Sequence, residues 1–314
     1  MGTIEEQPPT SEYINHAPTY HTDKKSAYVL PNDSIEHVRL ETQARHLSGI
    51  MNNRIIHSPV DKASVTRVLD VGCGTGIVTD YLAREYPSAE AVGLDLSPVP
   101  KQGDRPSNVR FVQGNILTEK PSSWVCTNDT ATAPKAVLDV EAFDLIYSRL
   151  LICGLSDWPK YIRTEYSLLK PGGWAEVHDL DWIWYDKHGK VISDDWPWFR
   201  RLRSAGESRG LDFSGGSRTQ QWMNDAGFVD VQVKTYRWPF GGQWETEGVW
   251  KEFGEYVSHV MVDMFWHLFP RLMEGQPGVT GEVIDQMREE MKHDFAPEEG
   301  KHWLFYVTCG RKPS

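Results

Sequence analysis

The chain has 314 residues, with 33 basic and 44 acidic side chains for a net charge of −11 and an isoelectric point near 5.5. That balance argues against a nucleic-acid binder, which normally presents a basic face. No run of about 18 apolar residues exists to span a membrane. A hydrophobic share of 39% and a charged share of 25% are those of a folded protein with room for one large domain or two small ones.

The opening segment MGTIEEQPPT has neither a positive stretch nor an apolar core, so no secretory leader is expected. The cysteines at 73, 126, 153 and 309 show no CxxC pairing, and no HExxH occurs. No metal site is expected. Reduced thiols in a cytoplasmic protein are the simplest reading, three of them as core filler and Cys73 in a glycine turn.

Residues 1–27 are polar, with prolines at 8, 9 and 18, and read as a flexible N-terminal tail. Asn32, Asp33 and Ser34 offer helix caps ahead of apolar residues at helical spacing, so a helix is predicted over about 34–52 within a helical cap at 28–64. Strands are predicted at 65–71, 91–95, 109–112, 143–147 and 174–177. Helices are predicted at 77–86 and 161–169, the latter ended by Pro171-Gly172-Gly173. Alternating strands and helices define an α/β fold with a parallel sheet covered on both faces. Its ligand belongs at the carboxyl ends of the strands. Residues 118–142 read as a surface insertion. Strands recur at 228–236 and 302–309, with helical stretches at 249–269 and 282–293 between them. Residues 241–300 hold 13 acidic and 4 basic side chains, read as the solvated face of a helical lid insertion. The predicted division is thus a core at 65–240, the lid at 241–300 and a last core strand at 301–314.

The strongest local signal is Leu69-Asp70-Val71-Gly72-Cys73-Gly74-Thr75-Gly76, between a predicted strand and a predicted helix. Glycines there allow close approach of the backbone, and the helix N-terminus favours an anionic group. The spacing is GxGxG, with Ile77 where a dinucleotide fingerprint needs its last glycine, and no Walker sequence is present. Asp95 lies 23 residues after Gly72, at the end of the next strand, where a carboxylate can accept from both hydroxyls of a ribose. A ribose-bearing ligand with a carboxylate is called for, and S-adenosylmethionine has both.

The ordered set VLDVGCGTG, AVGLDLSP, FVQGNI, FDLIYSR and LLKPGGWAEV resembles that of class I S-adenosylmethionine-dependent methyltransferases over about residues 28–240. YVLPNDSIEHVRLETQ, LDLSPVP and SRLLICGLSDW are similar to the fungal LaeA/UMTA-like group. The resemblance implies a Rossmann-like sheet with helices on both faces, an N-terminal helical segment and a helical lid insertion. It also implies S-adenosyl-L-methionine as cofactor and S-adenosyl-L-homocysteine as product. On that resemblance Asp70, Gly72, Cys73, Gly74 and Gly76 form the turn under the methionine part. Asp95 holds the ribose, while Leu96, Asn115 and Ile116 edge the adenine, with Asn115 where the family usually has Asp. Ser148 and Arg149 sit under the sulfonium, and Tyr28, Arg39 and Gln43 close over the cofactor.

Methyl transfer from a sulfonium needs alignment and exclusion of water. A phenol or alcohol acceptor also needs a base, whereas a carboxylic acid arrives ionised. His178, at the end of the fifth predicted strand, is the first candidate for a catalytic base. Plant-type O-methyltransferases carry a catalytic histidine after the fourth strand, where GLSDWPKY has none. Ten of the 13 tryptophans fall between 174 and 266, which suits an aromatic-lined pocket for a small acceptor. Trp182, Trp184, His259 and Trp266 are the candidate acceptor contacts.

The expected function is O-methylation of a small natural product in fungal secondary metabolism, with a carboxylate or phenol as acceptor. A homodimer is compatible with the sequence. The alternatives are a LaeA-like nuclear regulator acting through velvet-type protein partners, and a cofactor-binding enzyme of the same fold that catalyses a dehydration or pericyclic step.

Overall fold

The computed structural model describes residues 17–23, 26–127, 140–245, 248–296 and 299–314. Its centre is one twisted sheet of nine strands: β1 (Arg67–Val71), β2 (Glu90–Asp95), β3 (Val109–Gln113), β4 (Val125–Cys126), β5 (Phe143–Arg149), β6 (Leu169–Leu180), β7 (Tyr185–Asp186), β8 (Val229–Phe240) and β9 (Lys301–Arg311). The strand order is β4-β3-β2-β1-β5-β6-β9-β7, with β8 paired to β9. The five strands β3, β2, β1, β5 and β6 run parallel, and β9 returns antiparallel between β6 and β8. The chain leaves β1 toward β2 on one side and later returns to β5 on the other, which opens a crevice at their carboxyl ends.

The sheet separates two cores because strand side chains alternate between faces. Along β5, Phe143 and Ile146 join one core while Leu145 and Tyr147 join the other. Among the described residues the α-helices are α1 (Ser34–Ile50), α2 (Ile77–Glu85), α3 (Trp158–Leu168), α4 (Pro197–Glu207), α5 (Gly215–Ala226), α6 (Gly248–Met273) and α7 (Gly281–Asp294). The cap predicted for α1 is present: the Asp33 carboxylate accepts from the Glu36 N–H at 3.1 Å.

Several boundaries differ from the sequence reading. Helix α3 starts earlier, capped by Asp157, whose carboxylate accepts from the Lys160 N–H at 2.9 Å. It ends at Leu168, and Pro171-Gly172-Gly173 lies inside β6 as an irregularity where the register with β5 shifts. Helices α4 and α5 were not predicted. Ser214 gives α5 no side-chain cap, and the helix opens on two glycines that pack closely. A Cβ on Gly215 would meet Trp158 at 2.5 Å, and one on Gly216 would meet Tyr306 at 2.5 Å. The predicted tail is structured over residues 17–23: the Thr19 N–H donates to Asp33 at 3.2 Å, and Tyr20 lies under the Arg271 guanidinium. Residues 1–16 of that tail lie outside the described residues, as do 128–139 of the predicted insertion. Val125–Cys126 of that insertion add a short antiparallel edge strand to β3.

Helices α6 and α7 fill the connection between β8 and β9. The Tyr256 hydroxyl donates to the Arg39 carbonyl at 2.9 Å, and His46 of α1 stacks on Tyr256 with ring centroids 4.6 Å apart. The inserted helices are thereby joined to the N-terminal helix. Most of the clustered tryptophans pack in this region. Trp182 stacks on Phe213 at 4.1 Å, Trp184 lies 4.2 Å from Trp303, and Trp198 meets Phe265 and Phe269. No helix among the described residues is long and apolar enough to cross a membrane.

Candidate active site

The glycine turn joins β1 to α2 and needs left-handed backbone at Gly72 (φ +68°), Gly74 (+55°) and Gly76 (+80°). Space is limiting as well. A Cβ on Gly72 would sit 2.4 Å from Leu151, and one on Gly76 would sit 2.6 Å from both Arg105 and Phe111. The turn uses its own donors internally. Gly72 and Cys73 donate to the Leu94 carbonyl at 2.8 and 3.1 Å, and Gly76 donates to Cys73. Gly74 donates to Asp95 Oδ2 at 2.9 Å. The other Asp95 oxygen accepts from Ser97 at 2.9 Å, so the carboxylate at the end of β2 is held from two sides. The Leu96 N–H also acts on this carboxylate.

A cavity of about 380 Å³ opens over the carboxyl ends of β1, β2 and β5. The structure brings together around it Asp70, Gly72, Cys73 and Gly74 of the turn, Asp95 and Leu96 after β2, and Asn115 and Ile116 after β3. Tyr28, Arg39 and Gln43 line it from the N-terminal segment, as do Arg149 and Trp182. Burial pushes the Asp70 carboxyl up to about 6, against the pull of the Thr79 hydroxyl and the Arg149 charge. The Asn115 amide is engaged at both ends: its nitrogen donates to Asp23 at 2.7 Å, and its oxygen accepts from Leu117 at 2.9 Å. Residues 17–23 therefore reach the cavity through Asp23. Arg39 has its charge matched by Glu36, in a buried two-point pair at 2.7 and 2.5 Å.

Six predicted site residues lie elsewhere. Gly76 sits behind the turn, packed against Phe111. Ser148 is buried on the opposite face of β5 from Tyr147 and Arg149, toward Tyr161 of α3. Trp184 is core, enclosed by Trp196, Trp303, Phe240 and Phe295. His259 is exposed and bonds to the Glu255 carbonyl of its own helix at 2.7 Å. Trp266 is covered by Arg288, 4.0 Å from its ring. The expected placement of His178 is also corrected: it is fully buried and does not line the cavity. Its Nε2 pairs with Glu176 at 2.7 Å, and its Nδ1 lies 3.3 Å from the Tyr147 hydroxyl. Tyr147 does line the cavity.

Glu176 closes this buried group. Besides His178 it accepts from the His57 and Ser58 N–H groups and from the Ser58 hydroxyl, at 2.6–3.0 Å. Burial raises its pKa, but these bonds outweigh that and hold it well below the ordinary carboxylate range. Burial lowers the pKa of His178, so the pair is an ionised carboxylate beside a neutral imidazole. His57, Glu176 and His178 bring three potential ligand atoms within 4.8 Å of one another. Their hydrogen bonds account for the arrangement without an ion.

Sequence reading missed a second set of cavity residues: Leu150, Leu151, Trp238, Met261, Met264 and Trp303. Leu150 carries φ +57° where β5 ends, a strained conformation for a leucine. It is fixed by its N–H to the His178 carbonyl and by the neighbouring Leu151 N–H to the Asp179 carboxylate, at 2.9 and 2.7 Å. Met261 and Met264 are an i, i+3 pair on one face of α6, a pattern the apolar character of the whole helix conceals.

The methyltransferase domain family matches this chain over residues 33–233. The methyltransferase pytC of Aspergillus terreus is 30% identical over 308 residues, covering 95% of this chain and 87% of pytC. The secondary metabolism regulator laeA of Aspergillus fumigatus is 29% identical over 316 residues, covering 96% of this chain and 77% of laeA. Among solved structures, the Haemonchus contortus phosphoethanolamine N-methyltransferase 2 bound to S-adenosyl-L-methionine superposes with a TM-score of 0.45 at 16% identity, over 86% of this chain and 53% of that one. The chain belongs to the class I S-adenosylmethionine-dependent methyltransferases, in their LaeA-like group. It is a methyltransferase whose cofactor is S-adenosylmethionine.

Proposed function

We propose that this protein O-methylates a small natural product, through a carboxylate or phenol oxygen, in fungal secondary metabolism. The observation that carries this reading is the change in the cavity along its length. Its lining is polar over β1 to β3, with Asp70, Asp95 and Asn115, and apolar toward β6, β8 and β9, with Trp182, Trp238 and Trp303. The polar half fits the cofactor. The Asp95 carboxylate suits a ribose diol, Asp70 suits an ammonium group, and Leu96 and Ile116 suit the faces of a purine. When bound there, the cofactor supplies an activated methyl group. The apolar half, closed by Met261 and Met264, suits an aromatic or aliphatic acceptor and keeps water away. A phenol proton would reach His178 through Tyr147, not by direct contact.

The relatives named as regulators support a second reading, in which the protein acts in the nucleus through velvet-type partners. Label transfer separates the readings. Purified protein is mixed with methyl-labelled cofactor, a small-molecule extract of the producing fungus and its protein fraction, and the label is located by mass spectrometry. A small molecule heavier by one methylene unit is expected. Label on a protein favours the regulator, and bound cofactor with no transfer favours a non-methylating reaction.

A further inference from the structure

Arg149 shares charge with Asp70 and a hydrogen bond with Tyr147, but part of its guanidinium is left unpartnered. It lines the cavity, its Nη1 is buried, and that nitrogen has no hydrogen-bond partner among the described residues. Asp70 feels its charge, and one Asp70 oxygen is taken by the Thr79 hydroxyl at 2.6 Å. Arg39, by contrast, has Glu36. A buried guanidinium nitrogen with no acceptor is costly, so a ligand that completes it gains a charge-assisted bond.

Position says which ligand. Arg149 ends β5, and β5 is the strand between the cofactor half, on β1 to β3, and the apolar half, on β6, β8 and β9. A guanidinium facing a sulfonium with nothing between would repel it. An anion between the two is attracted by both. The remaining walls of the apolar half point the same way: Trp238 and Trp303 line it, and neither indole Nε1 has a hydrogen-bond partner among the described residues. The unpartnered nitrogens of Arg149, Trp238 and Trp303 are all donors, which suits an acidic ligand.

We propose that Arg149 is the anchor for a carboxylate on the acceptor, so that the substrate class is an apolar or aromatic carboxylic acid and the product its methyl ester. This rests on the function proposed above. One carboxylate oxygen bonds to the methyl carbon. The sulfur–methyl bond breaks, and its electron pair stays on sulfur. The sulfonium becomes a neutral thioether, the carboxylate becomes a neutral ester, and no proton moves. Esterification removes the charge that Arg149 holds, which favours release of the product.

Calorimetric titration tests this with defined probes. S-adenosylhomocysteine is titrated first. If the wild-type protein does not bind it, the function reading fails and not the anchor. With S-adenosylhomocysteine present, 2-naphthoate, 2-naphthamide and 2-naphthol are compared as ligands of nearly equal size. Naphthoate is expected to bind at least about tenfold more tightly than the other two, the range of a hydrogen bond to a charged group. Arg149→Gln should erase that preference and weaken naphthoate far more than it weakens S-adenosylhomocysteine, and a thermal melt like that of the wild type shows that the variant is folded. Arg149→Lys should keep part of the preference. The anchor is overturned if naphthoate and naphthamide bind alike or not at all, if naphthol binds best, if the preference survives Arg149→Gln, or if that variant loses S-adenosylhomocysteine instead, which would assign Arg149 to the cofactor.

Discussion

At Asp95 one side chain serves two ends. Its oxygens hold the Gly74 and Ser97 N–H groups, and the residue lines the cavity. Asp95→Ala should weaken S-adenosylhomocysteine binding by about 1–3 kcal/mol, read by calorimetry. It should also loosen the glycine turn, read as a lower melting temperature. Gly74→Asp should abolish binding, since it places a side chain at φ +55° and a second negative charge beside Asp95; unchanged affinity would show that the turn does not underlie the cofactor. These positions were legible in the sequence because a glycine turn and its acidic partner are set by backbone conformation, which short patterns encode. Arg149 was named from the sequence and lines the cavity, but its charge could be interpreted only once its neighbours were known. His178 shows the limit. Its place on β6 was read correctly, but Glu176, two residues before it, turns it away from the cavity, and no local pattern reveals that His57 and Ser58 complete the group.

Among the elements, the segment after α1 is bound to the sheet by Glu176, which receives the His57 and Ser58 backbone. Glu176→Gln replaces one acceptor oxygen by an amide donor facing other donors. It should cost about 2–4 kcal/mol in denaturant unfolding. With the folded pKa held low, the stability due to Glu176 is present above the unfolded value near 4 and lost as pH falls below it. An unaltered acid limb in the variant would count against this. The parallel strands were legible because each contains a short apolar run, and β1, β2 and β3 end beside a glycine or an acidic residue. Helices α4 and α5 were not, since both lack a side-chain cap and their aromatic residues read equally well as pocket lining. Trp184 shows the outcome: it was expected at the pocket and is core, as tertiary packing decides where an apolar side chain goes.

For the whole molecule, buried acids set the pH response. Burial raises Asp70 to about 6, Asp263 to about 7, and Glu165 and Asp179 to about 8. A raised carboxyl contributes stability that is complete below its unfolded value near 4 and is lost as pH rises through the folded value. The melting temperature of the ligand-free protein should therefore decline from pH 6 to pH 9. Glu165 accepts from Tyr161 at 2.6 Å, and its other oxygen has no partner among the described residues. Glu165→Gln keeps the acceptor and cannot ionise, so it should flatten part of that decline and raise the melting temperature most at pH 9. A decline as steep as in the wild type would exclude Glu165 from the response.

The indole rings form a continuous chain from the cavity inward. Trp303 borders the cavity and lies 4.2 Å from Trp184. Trp184 lies 6.0 Å from Trp196, and Trp196 lies 5.9 Å from Trp198. At such separations excitation energy passes from ring to ring faster than it is emitted. A chromophore or quencher seated at the apolar end would drain light absorbed far from it, and coupled transitions would give the near-ultraviolet dichroism an intensity that separate indoles lack. The protein thus carries its own optical gauge of whether the apolar end of the cavity is filled, with no added label.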